Sequence, residues 1–271
     1  EMATNPFLLT ALCFLKSTAP GEQLPNSRIA VYEALQQRIA RQAQQRYGDA
    51  GILAPEVLQA LSAFACFLYR RPNGVLQIFS KSDWLQFARG TAHGSVNFDR
   101  HVLPGRLLNV WHEADPHYHF LHLTLQEHLM AQELLAWPVE QALAHRFAPA
   151  WRSVFRFYGA LLWHRERDEE FRRLTSALYR ENDINNLSLV TLAEIFADAG
   201  IRDTGPWIGG DLRKQIYFSL ASADDSGSEA FIDALSALDP DWMTTQVLAD
   251  KDGTIRGIFE QGGDSIAAYE E

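Results

Sequence analysis

Apolar residues recurring every three or four positions constrain this chain more than any other feature. Ile29, Tyr32, Leu35, Ile39 and Ala43 share one side of a 3.6-residue period, with Arg and Gln between them. Pro25-Asn26-Ser27 supplies a start, since Asn or Ser can accept from the free amides of a first turn. Gly48 supplies the stop. Ahead of this helix, Pro6 to Leu15 reads as a compact apolar helix that ends near Pro20-Gly21.

A second block begins at Ile52. Pro55 suits a first helical position. Val57, Leu58, Leu61, Phe64, Ala65 and Leu68 form the expected buried face, and Pro72-Asn73-Gly74 marks a turn. Val75 to Phe79 reads as a short strand, and Ser80 or Ser82 as the cap of a short helix through Trp84 and Phe87. A third helix is expected within 97–106. Leu107 to His112 and His117 to His122 then flank Glu113-Ala114-Asp115-Pro116 as a β-hairpin. Its second strand sets Tyr118, Phe120 and His122 on one face, with His117, His119 and Leu121 on the other. Thr124-Leu125-Gln126-Glu127 has the spacing of a capping box opening a helix that Trp137-Pro138 ends. Helix, strand, helix, helix, hairpin, closing helix is a winged-helix order.

From Val139 the periodicity is almost wholly helical, with segments expected at 139–146, 149–163, 167–181, 187–199, 210–222, 228–238 and 241–249. Short loops such as Gly200 to Gly205 join them, as in stacked helical hairpins, and no clean repeat period emerges. The expected fold is therefore mainly α: a helical segment over 1–48, a winged-helix domain with a small β-hairpin over 49–136, and a helical hairpin stack over 137–271.

Composition narrows the functional classes. Apolar residues at 47% and charged residues at 21% belong to a globular chain with a real core. No run approaches the roughly 20 apolar residues of a membrane span, and Glu1 to Pro6 has no signal-peptide pattern. Cys13 and Cys66 sit in apolar surroundings and read as buried thiols, which favours a cytoplasmic location. The net charge of −10 comes wholly from residues 217–271, which hold 12 acidic residues against Lys251 and Arg256. Residues 1–216 balance, and the acidic end argues against phosphate backbones as partners there.

Several enzyme signatures are missing. The chain has no Gly-x4-Gly-Lys-Ser/Thr phosphate loop, no Gly-x-Gly-x-x-Gly after a strand, no Gly-x-Ser-x-Gly and no His-Glu-x-x-His. Asp224-Asp225-Ser226-Gly227 reads as a polar loop between helices. Asp250 to Ile255 fails as a calcium loop, because Leu248 and Phe259 fall where acidic ligands belong. His112, His117, His119, His122 and His128 crowd into one stretch, but no cysteine lies near and His122 faces away from His117 and His119. No metal site is expected there; most of these histidines read as solvated or hydrogen-bonded wing residues. His122 differs by its place. It ends a strand just before a helix N-terminus, where free amides suit phosphate and an imidazole can donate to an anion.

Two stretches carry a family resemblance. Asn5-Pro6-Phe7-Leu8-Leu9-Thr10-Ala11-Leu12-Cys13, followed by Leu24-Pro25-Asn26-Ser27-Arg28 and Val31-Tyr32-Glu33, resembles the helical segment after the nucleotide-binding core of NACHT-type STAND NTPases, the NOD-like receptor group. Phe120-Leu121-His122-Leu123-Thr124-Leu125-Gln126-Glu127-His128-Leu129-Met130-Ala131 resembles their winged-helix signature. The two stand in the family's order and cover about residues 1–136. His128 replaces a common aromatic residue and Met130 a usual small one. In the family the first motif's proline packs near the adenine, and the winged-helix histidine contacts the ADP β-phosphate. The resemblance thus implies cofactor-binding roles for Pro6 and His122. It implies ADP or ATP with Mg²⁺ in the full-length protein, and no nucleotide held tightly by this part alone. The phosphate loop, the Mg²⁺-binding acids and the first sensor would precede Glu1, so the chain reads as the regulatory part of a longer ATPase, with no catalysis of its own.

The resemblance implies a switch. The winged helix clamps ADP against an upstream nucleotide-binding domain, and a protein trigger releases it for homo-oligomerisation. The alternative is a nucleotide-independent helical interaction module, for which seven tryptophans and a charge-segregated tail speak. DNA binding through 97–106 has only Arg100, His101 and Arg106 to offer, a thin basic set.

Overall fold

Ser27 stands extended ahead of the amphipathic run, and its hydroxyl accepts from the Ala30 amide at 3.2 Å. Capped in this way, Arg28–Tyr47 forms a helix whose face of Ile29, Tyr32, Leu35, Ile39 and Ala43 is buried. Gly48 ends it at φ 60°, a conformation that favours glycine. The computed structural model describes residues 6–48, 55–71, 77–111, 116–180, 187–210, 212–220 and 225–238. The expected strand residues Val75 and Leu76, the hairpin turn 113–115, the helix at 241–249 and the Asp250 to Ile255 turn lie outside them. The described chain is mainly helical with a small three-stranded antiparallel sheet, and it divides into two compact units, Glu1–Pro138 and Val139–Glu271.

The first unit opens with α1 (Pro6–Thr18), which packs on α2 (Arg28–Tyr47). Leu8, Ala11 and Leu15 are the buried face of α1, and Cys13 falls on its opposite side and is exposed. The expectation that both thiols are buried therefore holds for Cys66 alone. The winged helix follows: α3 (Pro55–Tyr69), β1 (Phe79–Ser80), α4 (Lys81–Arg89), β2 (Leu108–Val110), β3 (His117–Phe120) and α5 (Leu123–Leu134). β3 is the central strand. Leu108, Asn109 and Val110 pair with Phe120, His119 and Tyr118, while Phe79 and Ser80 pair with Tyr118 and His117. Tyr118 and Phe120 point into the core with Phe79, and His117 and His119 are half-buried on the other face, as the alternation required. α3 packs along α5, and Phe64 gathers Phe79, Trp84 and Phe87 around it.

Three local expectations are corrected. The third helix over 97–106 is a π-helical turn, Phe98–Val102, followed by a 3-10 turn, Leu103–Gly105. Pro104 has no amide to continue an α-helix, and Arg106 leaves in the left-handed region at φ 59°. The reciprocal capping box belongs to α4 and not to Thr124. Ser80 accepts from the Asp83 amide, and Asp83 accepts from the Ser80 amide at 2.7 Å. Burial alone would raise the Asp83 carboxyl. The Ser80 hydrogen bonds and Arg71, at 2.6 Å, overcome it and hold the carboxyl below its usual range. Asp225-Ser226-Gly227, expected in a loop, lies in the first turn of the last described helix.

The second unit is a stack of helical hairpins: α6 (Val139–Leu143), α7 (Arg152–His164), α8 (Asp168–Arg180), α9 (Leu187–Ala199), α10 (Gly205–Ile208), α11 (Leu212–Leu220) and α12 (Asp225–Leu238). α7, α9 and α12 pack side by side, and α8 and α11 close the hairpins between them. Gly159 of α7 lets α9 come close, since a Cβ there would stand 2.6 Å from Ile195 Cγ2. Along the same pair, Arg152 holds Glu194 through two hydrogen bonds of 3.0 and 3.1 Å, and Arg156 holds Asp198 through two of 2.6 and 2.8 Å.

Candidate functional site

The site is built where β3 turns into α5. His122 has left the strand but keeps extended dihedrals, φ −155° and ψ 150°, which makes it the N-cap of α5. Its Nδ1 accepts the Thr124 amide hydrogen at 3.2 Å. An imidazole nitrogen that accepts from an amide carries no proton, so the 2.8 Å contact between Thr124 Oγ1 and the same Nδ1 has the hydroxyl as donor. The proton of the neutral ring therefore sits on Nε2. This edge has no protein partner among the described residues. The ring keeps an exposed side, yet partial burial against its neighbours holds its pKa below the ordinary histidine value.

Those neighbours come from α1 and α2. Pro6 is the first residue of α1, where a proline costs nothing because that amide is unpaired in any helix. Phe7, beside it, stacks on His122 with ring centres 4.1 Å apart and planes 20° from parallel. Phe7 also stacks on Tyr32 at 5.8 Å, and Tyr32 on His128 at 5.2 Å. The Tyr32 hydroxyl donates to Thr124 Oγ1 at 2.6 Å. The start of α1 and the cap of α5 thus meet through one aromatic ladder, which brings the Pro6 segment and His122 together. Pro6 itself stands exposed at the head of α1.

The other histidines separate. His128 is not among the solvated histidines: it is wholly buried, and its Nδ1 lies 3.1 Å from the Gln36 amide nitrogen. Glu127, expected to close a capping box, is buried too and accepts from the Tyr69 hydroxyl at 3.3 Å. Burial, then the Glu127 carboxylate, pushes the Tyr69 phenol well above its usual value. His119 turns its Nδ1 to the Phe120 carbonyl oxygen at 2.7 Å. Among the described residues no group of three or more His, Cys, Asp and Glu is placed to hold a metal ion. Burial pushes the Cys66 thiol up to about 12, so it is not a nucleophile at neutral pH.

Two hollows border the site. A cleft of about 870 Å³ runs between α1, α2 and β2, with Phe7, Phe14, Leu35 and Ile39 among its walls and Arg106 and Asn109 at the wing side. A smaller one of about 290 Å³ touches His122 and is walled by Ile78, Trp111, His119, Leu123 and Gln126. Trp111 is 58% exposed there, with Ile78 and Leu123 also open to solvent. Arg100 and His101, the candidate DNA contacts, sit on the short π-turn, where His101 Nδ1 accepts the Asn97 amide at 3.0 Å.

The sequence singles out Pro6 and His122 as site residues; it gives Tyr32 only a place on a buried helix face and Thr124 only a capping role, and it gives Phe7 no role. Tyr32, Thr124 and Phe7 all lie inside the two motif stretches, which is the signal that pointed to them. No protein-family model and no curated protein matches the chain. No helix among the described residues is long and apolar enough to cross a membrane.

Proposed function

We propose that this chain is the regulatory part of a STAND-type signalling ATPase of the NACHT kind. Its winged helix clamps ADP against a nucleotide-binding core encoded ahead of it. Pro6 borders the adenine, and His122 donates from Nε2 to a phosphate oxygen. The Phe7–His122 stack carries the reading, because it puts the head of α1 and the α5 cap into one corner although they lie more than a hundred residues apart in sequence. A neutral donor at a helix N-terminus suits an anion: it adds a hydrogen bond where the helix amides already favour negative charge. Mg²⁺ belongs to the core's part of the site, and a cytoplasmic location goes with the reading.

The switch follows from a contact made in one state only. His122 touches ADP in the closed form, so losing that contact shifts the population towards the open, oligomerising form. A protein trigger acting on the hairpin stack would bias the same equilibrium.

The test is to purify the natural product that joins this chain to its nucleotide-binding core, denature it, and identify released nucleotide by chromatography. Stoichiometric ADP supports the switch. No nucleotide from a folded product favours the competing reading, a helical interaction module that works without nucleotide.

A further inference from the structure

His122 is held from behind. Thr124 Oγ1 has a single hydrogen, and it lies between two groups: the Tyr32 hydroxyl at 2.6 Å and His122 Nδ1 at 2.8 Å. Tyr32 donates to Thr124, so the Thr124 hydrogen is free to point at Nδ1. The Thr124 amide donates to the same nitrogen. Tyr32 is in turn fixed between Phe7 and His128, with its ring fully buried. Every link runs one way, from the interior outward.

We propose that Tyr32, acting through Thr124, is a positioning residue that locks the His122 imidazole in its neutral Nε2–H form, ready to donate to an anionic oxygen. Without this relay the Thr124 hydroxyl can accept as readily as donate, and the Nδ1–H tautomer becomes available. That tautomer would leave Nε2 as an acceptor, which repels an anion, and would break the cap of α5. The consequence for nucleotide rests on the function proposed above; the state of the ring does not.

The experiment is ¹⁵N spectroscopy of the full 271-residue chain labelled at histidine, with the His122 ring signals assigned by their loss in His122→Asn. Wild type is expected to show Nδ1 unprotonated and Nε2 protonated. Tyr32→Phe keeps the stacked ring and removes only the hydroxyl; Thr124→Val removes the second link and leaves the backbone amide. Each should move the two ring nitrogens towards an averaged pair, while Thr124→Ser, which restores a hydroxyl, should return the wild-type pattern. If Tyr32→Phe does not fold, Thr124→Val and Thr124→Ser carry the comparison. An Nδ1–H ring in wild type overturns the proposal, as does an unchanged Nε2–H pattern in folded Tyr32→Phe or Thr124→Val. ADP retention is read separately in the product that includes the core, so a failure of the nucleotide reading leaves the tautomer result standing, and the reverse.

Discussion

A cap made from an imidazole joins two demands on His122. Nδ1 must stay unprotonated to accept the Thr124 amide, and that leaves Nε2 as the outward donor. Protonation would break the cap and place a positive charge at the positive end of α5. The folded pKa lies below the ordinary value of about 6.5. The stability contributed by the neutral ring is therefore complete above that ordinary value, and it is lost as pH falls from there through the lower folded pKa. Denaturation midpoints between pH 7.5 and 5 should fall more in wild type than in His122→Asn, whose amide oxygen caps without titrating. Equal slopes would contradict this. Tyr158 makes the opposite case. It is fully buried in α7, its hydroxyl has no hydrogen-bond partner among the described residues, and burial pushes its pKa up to about 12. Removing an unpaired buried hydroxyl relieves a desolvation cost, so Tyr158→Phe should leave stability unchanged or raise it by up to about 1 kcal/mol. A loss larger than about 1 kcal/mol in urea denaturation would contradict the assignment. At this scale His122 stood out because a strand end, a helix start and the motif coincide there, although its capping role was assigned to Thr124. Tyr32 did not: its bond to Thr124 spans 92 residues, and periodicity reads only neighbours along one helix.

Between the elements, backbone distance decides more than hydrophobicity does. α7 and α9 meet at Gly159, whose absent side chain is filled by Ile195, a wholly buried β-branched residue with little room to turn. Gly159→Ala gains about 1 kcal/mol of helix propensity and costs about 1–3 kcal/mol in overpacking. A net loss is expected, and the penalty should disappear in an Ile195→Ala background, where the clashing atoms are gone. A double-mutant cycle by chemical denaturation checks it, and additive effects would contradict the close approach. The helices themselves were legible: α2, α8 and α9 lie within two residues of the expected spans, because each has a clear stripe and a cap or a break. The third winged-helix segment was not, since its stripe is short and Pro104 divides it. The capping box was misplaced for a chemical reason. Thr124 has the right spacing to Glu127, but His122 supplies the cap two residues earlier and Glu127 is drawn inward to Tyr69.

Across the whole molecule the chain divides into two compact units. The first holds the Pro6–Phe7–His122 corner, and the second is the stack of helical hairpins. The mainly helical class and the small antiparallel sheet were readable from the chain, because breaks and stripes alternate through most of it; the helix expected over 97–106 was the exception. The corner was readable only in part. The motifs named Pro6 and His122, and the Phe7 stack that joins them is a long-range contact that no local pattern encodes. The net charge of −10, confined to residues 217–271, leaves the first unit without an acidic excess that would oppose a phosphate ligand. For the function proposed above, the most direct measurement is ADP retention in a product that joins this chain to a nucleotide-binding core encoded ahead of it, comparing wild type with His122→Asn after gel filtration. Asn keeps a capping oxygen but removes both the Nε2 donor and the ring that stacks on Phe7, so a folded variant tests the corner as a whole. The account predicts that wild type keeps ADP while the variant loses most of it and shifts towards oligomer. Equal ADP in both would contradict it.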